Sequence, residues 1–353
     1  MAVNYRLGKL SPHFFQRIIY PKLGVHRSNV INGPKKGGDS AAIRLDKSRL
    51  LVATSDPLSY IPSIGATDSA FLSVHLLASD ITTSGFSPQY GIFDFNLPKA
   101  MSDREFAKYW TAFDSECKNL GISIIGGHTG RYLGEGDTII GGGVLISIGL
   151  RHHYLSSSMV WPNDDLVLTK GAAIETTAVL TRSFPKVVRK TLDPKAFESA
   201  WKYLRMVTTV QDSLTAVSVG KHERGVTAMH DATEGGVLSA CAELAEASKV
   251  GVRIDLNAIR VSEETQAVCK LFRLDPLWSL SEGSLLIASR PHSTETILKR
   301  LSQKRISANV IGRFSRRFHE MRIVTHNGIV KHAKASRDRY WAAYSTALSK
   351  GWS

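Results

Sequence analysis

Short apolar runs that end in turns bearing glycine or aspartate recur through both halves of this chain. They are interleaved with helical patterns but never in strict alternation, and this constrains the fold more than any other feature. In the first half, AAIRL (41–45), LLVATSD (50–56), the end of GFSPQYGIFDFNLP (85–98), ISIIGGHTGR (122–131) and DTIIGGGVLISIGL (137–150) read as strands. Between them, DSAFLSVHLLASD (68–80) has Phe71, Val74 and Ala78 at helical spacing, with Thr67 or Asp68 as its cap. SDREFAKYWTAFDSECKNLG (102–121) opens on Ser102 with Glu105 three residues on, and closes on Gly121. The polar stretch RHHYLSSSMVWPN (151–163) reads as a link. Beyond it, DDLVLTK (164–170), a helix near 172–181, a helix near 196–219, and the strand–turn–helix RGVTAMHDATEGGVLSACAELAEAS (224–248) follow. GVRIDLN (251–257), helices near 261–272 and 293–304, GSLLIAS (283–289) and ANVIGRF (308–314) complete the half. Mixed order of this kind predicts two layered α+β domains, and 353 residues suffice for two.

Charge divides the chain differently. Residues 1–36 carry seven Lys/Arg and no acid, and residues 290–340 carry thirteen against three, while 37–289 hold 24 basic and 28 acidic residues. Two basic ends flank an acidic body. Such ends either attract a polyanion or lie as a solvated surface against that body. The first 36 residues lack periodicity and are expected to be partly mobile. Three distant cysteines, Cys117, Cys241 and Cys269, form no C-x-x-C pair, which argues against a zinc ribbon or disulfide scaffold and suits a cytoplasmic setting. No apolar run approaches the roughly 20 residues of a membrane span, and Arg6, Lys9 and Arg17 interrupt any leader-like stretch.

The chemistry-bearing segments begin at NGPKKGGDSAAIRL (32–45). Gly33 and Gly38 have the spacing of a phosphate loop, but Asp39 and Ser40 follow where lysine and serine are required. Asp56 in ATSDP, Asp80 in ASDITTSG, and the segments GGHTGR (126–131) and HDATEGGV (230–237) complete the set. Mg²⁺ takes hard oxygen ligands from one or two carboxylates plus substrate phosphates. Asp39, Asp56 and Asp80 could together hold one or two such ions, while Lys35, Lys36 and backbone N–H groups face the anion. Asp231 or Thr233 is placed to cap the helix that follows, with Gly235 and Gly236 admitting a ligand to its first turn. The alternatives are plain ones: each aspartate as a turn or cap residue, the glycine pairs as turns, and His128 as a hydrogen-bonded structural histidine.

Together GGDSAAI (37–43), ATSDP (53–57), HLLASDITTSGFSP (75–88), GGHTGR, DDLVLTK, MHDATEGGVLSACAELAEAS (229–248) and LDPLWSLSEGSLLIA (274–288) resemble the aminoimidazole ribonucleotide (AIR) synthetase superfamily. Its other members include the hydrogenase-maturation carbamoyl dehydratase, thiamine-monophosphate kinase and selenophosphate synthetase. The resemblance implies an N-terminal domain whose sheet pairs with a second copy's into a barrel, and a C-terminal α/β sandwich. The corresponding segments are a basic N-terminal stretch (1–36), an ATP-binding and dimerisation domain (37–152), a C-terminal domain (164–316) and a basic tail (317–353). It implies ATP and Mg²⁺ near Asp39, Asp56 and Asp80, with Lys35, Lys36, Gly37 and Gly38 over the phosphates. Gly126, Gly127, His128, Thr129 and Asp231 would line the cleft, and Asp56, Asp80 and His128 would act in catalysis.

The implied activity is phosphorylation of a small acceptor, in some members an amide oxygen, by a homodimer without a membrane role. The chain ends SKGWS, without the terminal cysteine of the carbamoyl dehydratase, and no cysteine precedes Cys117, where selenophosphate synthetase has its reactive residue. Ser79 stands where relatives commonly carry asparagine, and His128 where they carry an acid, so His128 would meet phosphate as a donor. The segments are most similar to the AIR-synthetase-related group that borders the hydrogenase-maturation proteins. Two further readings are a kinase of the thiamine-monophosphate type, suited by a basic substrate cleft, and a nucleotide-binding regulatory or RNA-associated protein using the basic ends.

Overall fold

A computed structural model describes residues 7–133, 138–325, 328–332 and 338–353. A one-turn helix α1 (Pro12–Phe14) precedes β1 (Val30–Asn32), β2 (Ala41–Arg44), β3 (Arg49–Ser59), α2 (Ala66–Thr82), β4 (Tyr90–Pro98), α3 (Asp103–Asn119), β5 (Ser123–Tyr132) and β6 (Ile139–Leu150). The strands form one sheet in the order β1-β2-β3-β6-β4-β5, in which only β4 and β5 run parallel. Along β4 the alternation is strict: Gly91, Phe93, Phe95 and Leu97 point inward, while Tyr90, Ile92, Asp94 and Asn96 point out. Helix α3 brings Tyr109, Phe113 and Cys117, four residues apart, against that inner face. Ser102 caps it by accepting from the Glu105 N–H at 3.1 Å, as its sequence predicts.

The second half holds β7 (Asp165–Thr169), α4 (Ile174–Ser183), α5 (Pro185–Arg189), α6 (Pro194–Lys202), α7 (Val210–Val217), β8 (Val226–Asp231) and α8 (Gly236–Ala247). These are followed by β9 (Gly251–Asp255), α9 (Glu263–Leu271), β10 (Leu285–Ser289), α10 (Pro291–Gln303), β11 (Ala308–Ser315), β12 (Met321–Thr325), β13 (Gly328–His332) and α11 (Tyr340–Ser349). The sheet order is β13-β12-β9-β11-β7-β10-β8. The architecture is thus α+β with two sheets.

Several local expectations are corrected. The helix expected over 196–219 is broken between Lys202 and Val210, where the β-branched run Val207-Thr208-Thr209-Val210 disfavours helix. Residues 317–353, expected as a tail, supply two strands of the second sheet and helix α11, whose Tyr340 and Tyr344 are buried. Helix α2 begins two residues before Asp68, which pairs with Arg182 and Arg205, each at 2.9 Å, rather than capping. The link residues 154–157 are buried rather than open.

Helix α2 is the shared wall of the two halves. Its Leu77 and Ala78 join the first core, while Phe71 and Leu72 pack with Phe184, Leu204 and Val207 of the second. Buried Ser79 accepts from the Thr209 N–H at 2.9 Å, and His75 Nδ1 meets the Thr208 hydroxyl at 2.9 Å. The packing places the end of α2 beside β8, the last strand of its sheet, whose six residues are all buried.

Candidate active site

Four aspartates converge where these elements end. Asp39 lies two residues before the start of β2 and Asp56 lies on β3. Asp56 was expected at a strand end, but β3 runs on to Ser59 and carries Leu50, Val52, Thr54, Asp56 and Leu58 on one face. Asp80 occupies the last turn of α2, where the helix macrodipole opposes a negative charge. Asp231 ends β8. The Thr54 hydroxyl lies 2.7 Å from the Asp39 carbonyl oxygen and 2.9 Å from Asp80 Oδ2, tying three of these segments together.

Three glutamates extend the cluster: Glu175 in the first turn of α4, Glu234 in the turn after β8, and Glu282 ahead of β10. Burial and the neighbouring charges of Asp231, Asp56 and Asp39 hold the Asp80 carboxyl far above the usual range. Burial, helped by Asp39, pushes Asp231 up to about 7 against the opposing pull of His230 and Lys9. Burial raises Asp56 to about 6, and burial with Asp56 and Glu234 nearby raises Glu175 to about 8. Glu282 is raised well above its ordinary value by burial and by Asp231 and Glu175.

Buried His230 bridges Asp39 Oδ1 at 2.7 Å and Glu243 Oε2 at 3.2 Å through its two ring nitrogens. Both partners are acceptors, so both nitrogens donate and the ring is a cation; these carboxylates raise its pKa well above normal although burial alone would lower it. One ligand atom each from Asp39, His230 and Asp231 lies within 4.8 Å of the others. With His230 engaged on both sides, the atoms free to take a cation are carboxylate oxygens. Asp39 Oδ2 and both oxygens of Asp231 are buried without a hydrogen-bond partner. Native proteins rarely leave buried polar atoms so. An all-oxygen, anionic, desolvated donor set suits Mg²⁺.

Asp231 and Thr233 do not cap α8; the cap position is Gly235, with no side-chain bond. Gly235 and Gly236 both have positive φ (88° and 70°), and a Cβ on Gly236 would come within 2.7 Å of the Leu277 carbonyl oxygen. The pair is needed for this turn to pass so close to the 277–279 backbone.

The two lysines of the glycine-rich segment are engaged elsewhere. Lys35 Nζ donates to Ser158 Oγ at 2.9 Å and Ser156 Oγ at 3.3 Å, and Lys36 pairs with Glu246 at the surface. Gly37, at φ +67°, packs against Glu243, and Gly38 against Lys35. The cation that does enter the cleft is Lys9. Its Nζ donates to Thr233 Oγ1 at 2.8 Å and its backbone N–H to Glu234 Oε2 at 2.7 Å. Burial would lower its pKa, but Glu243, Glu282, Glu234 and Asp80 raise it. The first 36 residues are therefore not all free of the body: Lys9 is docked and β1 pairs with β2.

Gly126, Gly127, His128 and Thr129 were expected in a turn lining this cleft. They lie instead within β5, which continues to Tyr132 as the exposed edge strand, with β6 and β4 between it and β3. Gly127 is required by packing, since a Cβ there would stand 1.9 Å from the Phe93 carbonyl oxygen. His128 Nε2 meets the Tyr132 hydroxyl at 2.8 Å. Within this chain these four residues are not brought to the aspartates. The cleft at the aspartates is lined by carboxyl groups.

The AIR synthase related protein N-terminal domain family matches residues 37–148, and the corresponding C-terminal domain family matches 162–324. The chain belongs to the AIR synthase related family. A putative hydrogenase expression/formation protein of Methanocaldococcus jannaschii is 24% identical over 307 residues, covering 86% of each chain. The carbamoyl dehydratase HypE of Rhizobium leguminosarum is 26% identical over 280 residues, covering 75% of this chain and 72% of that protein. Among solved structures, the hydrogenase maturation protein HypE in complex with ATP superposes with a TM-score of 0.68 at 21% identity, over 84% of this chain and 87% of that one. Among the described residues no helix is long and apolar enough to cross a membrane.

Proposed function

We propose that this chain is an ATP- and Mg²⁺-dependent phosphoryl-transfer enzyme that activates a small acceptor, an amide oxygen being the group favoured by its relatives' chemistry. The observation that carries this reading is the set of buried, unpartnered oxygens on Asp39 and Asp231 beside Asp80. Carboxylates at such density repel a polyphosphate unless a divalent cation stands between them. Asp39, Asp80 and Asp231 would hold that ion, which would neutralise the developing charge on the phosphates. Asp56 sits on the same inner face and would hold a second ion or orient the acceptor. His230 fixes one Asp39 oxygen and leaves the other free for the ion.

In the transfer, the acceptor oxygen forms a bond to the γ-phosphorus while the bond from that phosphorus to the β–γ bridging oxygen breaks, releasing ADP. An amide acceptor loses an N–H proton as it becomes the O-phosphate. The named activity of the carbamoyl dehydratase relative and the ATP bound in the HypE structure support this reading.

The working unit we infer is a homodimer. The outer face of the first sheet exposes Tyr90, Ile92 and Ile148, and its edge strand exposes Ile125. A second copy on that face would cover them and bring its own Gly126–Thr129 segment toward a shared site. ADP release, measured with and without Mg²⁺ across candidate amide acceptors, tests the assignment. Turnover should require Mg²⁺ and fall at least about 100-fold in Asp80→Asn with the fold retained. Equal turnover in that variant refutes the metal role of Asp80.

A further inference from the structure

The cleft gathers more carboxyl groups than a nucleotide and its metal ions can account for, and burial holds several of them protonated. Asp39, Asp56, Asp80, Glu175, Asp231, Glu234, Glu243 and Glu282 share it with Lys9 and His230, while Lys35 acts on Asp39 and Lys36 on Glu243 from its rim. ATP with two divalent ions is neutral and would leave that excess in place. The excess is concentrated away from Asp39. Glu175 and Glu282 are each only 8% exposed, each has one oxygen buried without a partner, and each senses the other cleft carboxylates. Neither is needed for the ion assigned to Asp39, Asp80 and Asp231.

The group that answers them in the ligand-free protein is the Lys9 ammonium. It reaches toward the carboxyls from an exposed segment, residues 7–11, with Thr233 Oγ1 as its hydrogen-bond partner, and the charges of Glu243, Glu282, Glu234 and Asp80 act on it against the effect of burial. The segment is held by the Thr233 and Glu234 bonds and by the approach of Gly8 to Trp341 and Glu234. An exposed stretch with so few anchors can be displaced by a competing cation.

We propose that the acceptor carries a cationic nitrogen group, an amine, amidine or guanidine, which takes the place of the Lys9 ammonium and is recognised by Glu175, Glu234 and Glu282. This rests on the phosphoryl-transfer reading and names its substrate class. Lys9 then acts as an internal occupant of the acceptor subsite. An anionic, phosphorylated acceptor would oppose ionisation of these carboxyls, whereas a cationic one favours it and gains charge-assisted hydrogen bonds in a desolvated site.

The test uses the full chain carrying Lys9→Ala, saturated with Mg²⁺ and ATP, and titrated calorimetrically with four probes: ethylammonium, methylguanidinium, N-methylacetamide and methyl phosphate. The two cations should bind saturably and at least about tenfold more tightly than the neutral amide or the anion. They should bind more weakly to the wild type, where Lys9 competes. Adding Glu175→Gln and Glu282→Gln to Lys9→Ala should remove the preference, with Mg²⁺–ATP affinity measured on the same sample as the control for fold and nucleotide site. Equal affinity for cation and neutral amide, or tighter binding of methyl phosphate, overturns the inference while the nucleotide reading stands. Loss of Mg²⁺–ATP binding in the wild type removes the reading on which it rests.

Discussion

Replacing Asp231 with asparagine should stabilise the metal-free protein, the reverse of what removing a buried, partnered carboxylate does. Asp231 is fully buried and neither of its oxygens has a partner, so the charge is desolvated with only the pull of His230 and Lys9 to offset it. Its carboxyl rises from 3.8 to about 7 on folding, which caps the cost at roughly 4 kcal/mol at alkaline pH. Asp80, Asp56 and Glu282 share the same field, so about 1–3 kcal/mol is expected. The folded carboxyl holds its proton more tightly than the unfolded one. Its contribution to stability is therefore complete below about pH 4 and is lost as pH rises through about 7. The benefit of Asp231→Asn should be full at pH 8 and vanish near pH 4. For a chain of 353 residues, about 2 kcal/mol corresponds to a melting-temperature rise of roughly 2–4 °C. Thermal melts in chelator at pH 8, 6 and 4 measure this, and repeating the pH 8 melt with Mg²⁺ should reverse the ranking because only the wild type gains the ion. A variant less stable than wild type at pH 8 in chelator would refute the claim that burial of this carboxylate outweighs that pull.

Other consequences are as direct. Glu175, raised to about 8 chiefly by burial, adds stability below its ordinary range that is lost as pH climbs through about 8; Glu175→Gln should flatten that loss by up to a few kcal/mol in pH-dependent melts. Asp68→Ala leaves Arg182 poorly compensated at the domain contact (side chains 17% and 14% exposed) and should cost about 2–4 kcal/mol in urea denaturation. The half-exposed Arg205 pair contributes little of that. Ile92→Asp, on the exposed face of β4, should shift the proposed homodimer to monomer in analytical ultracentrifugation without lowering protomer stability by more than about 0.5 kcal/mol.

The strand and helix series was legible in the sequence because apolar period and end signals agreed, as at Ser102–Gly121 and Val226–Ala247. The aspartates were legible for a related reason: Asp39 follows two glycines, and Asp56, Asp80 and Asp231 each stand in or just after an apolar run, where a carboxylate invites a ligand. What stayed hidden came from segments far apart in sequence. Lys9 and Glu175 carry no local motif, Glu282 lies in LDPLWSLSEGSLLIA without marking itself as a cleft residue, and only tertiary packing lets their charges act on one another. The neighbouring glycines suggested a phosphate cradle for Lys35 and Lys36, whose hydrogen-bond partners here are the serines of the link and Glu246 of α8, with Lys35 still within the field of Asp39. His128 was misread because GGHTGR reads as a turn, although Gly127 serves close strand packing. The basic excess near the C-terminus is partly paired: Arg290 with Asp164, Arg313 with Asp165 and Arg322 with Glu320.

The central claim is that the aspartate cluster is a divalent-cation site for a nucleotide, and calorimetric titration with ATP tests it most directly. Wild-type protein should bind ATP only with Mg²⁺ present, and Asp231→Asn should lose at least about 100-fold in affinity, about 2.7 kcal/mol. Binding that is equally tight without Mg²⁺, or unchanged in the variant, would contradict the account.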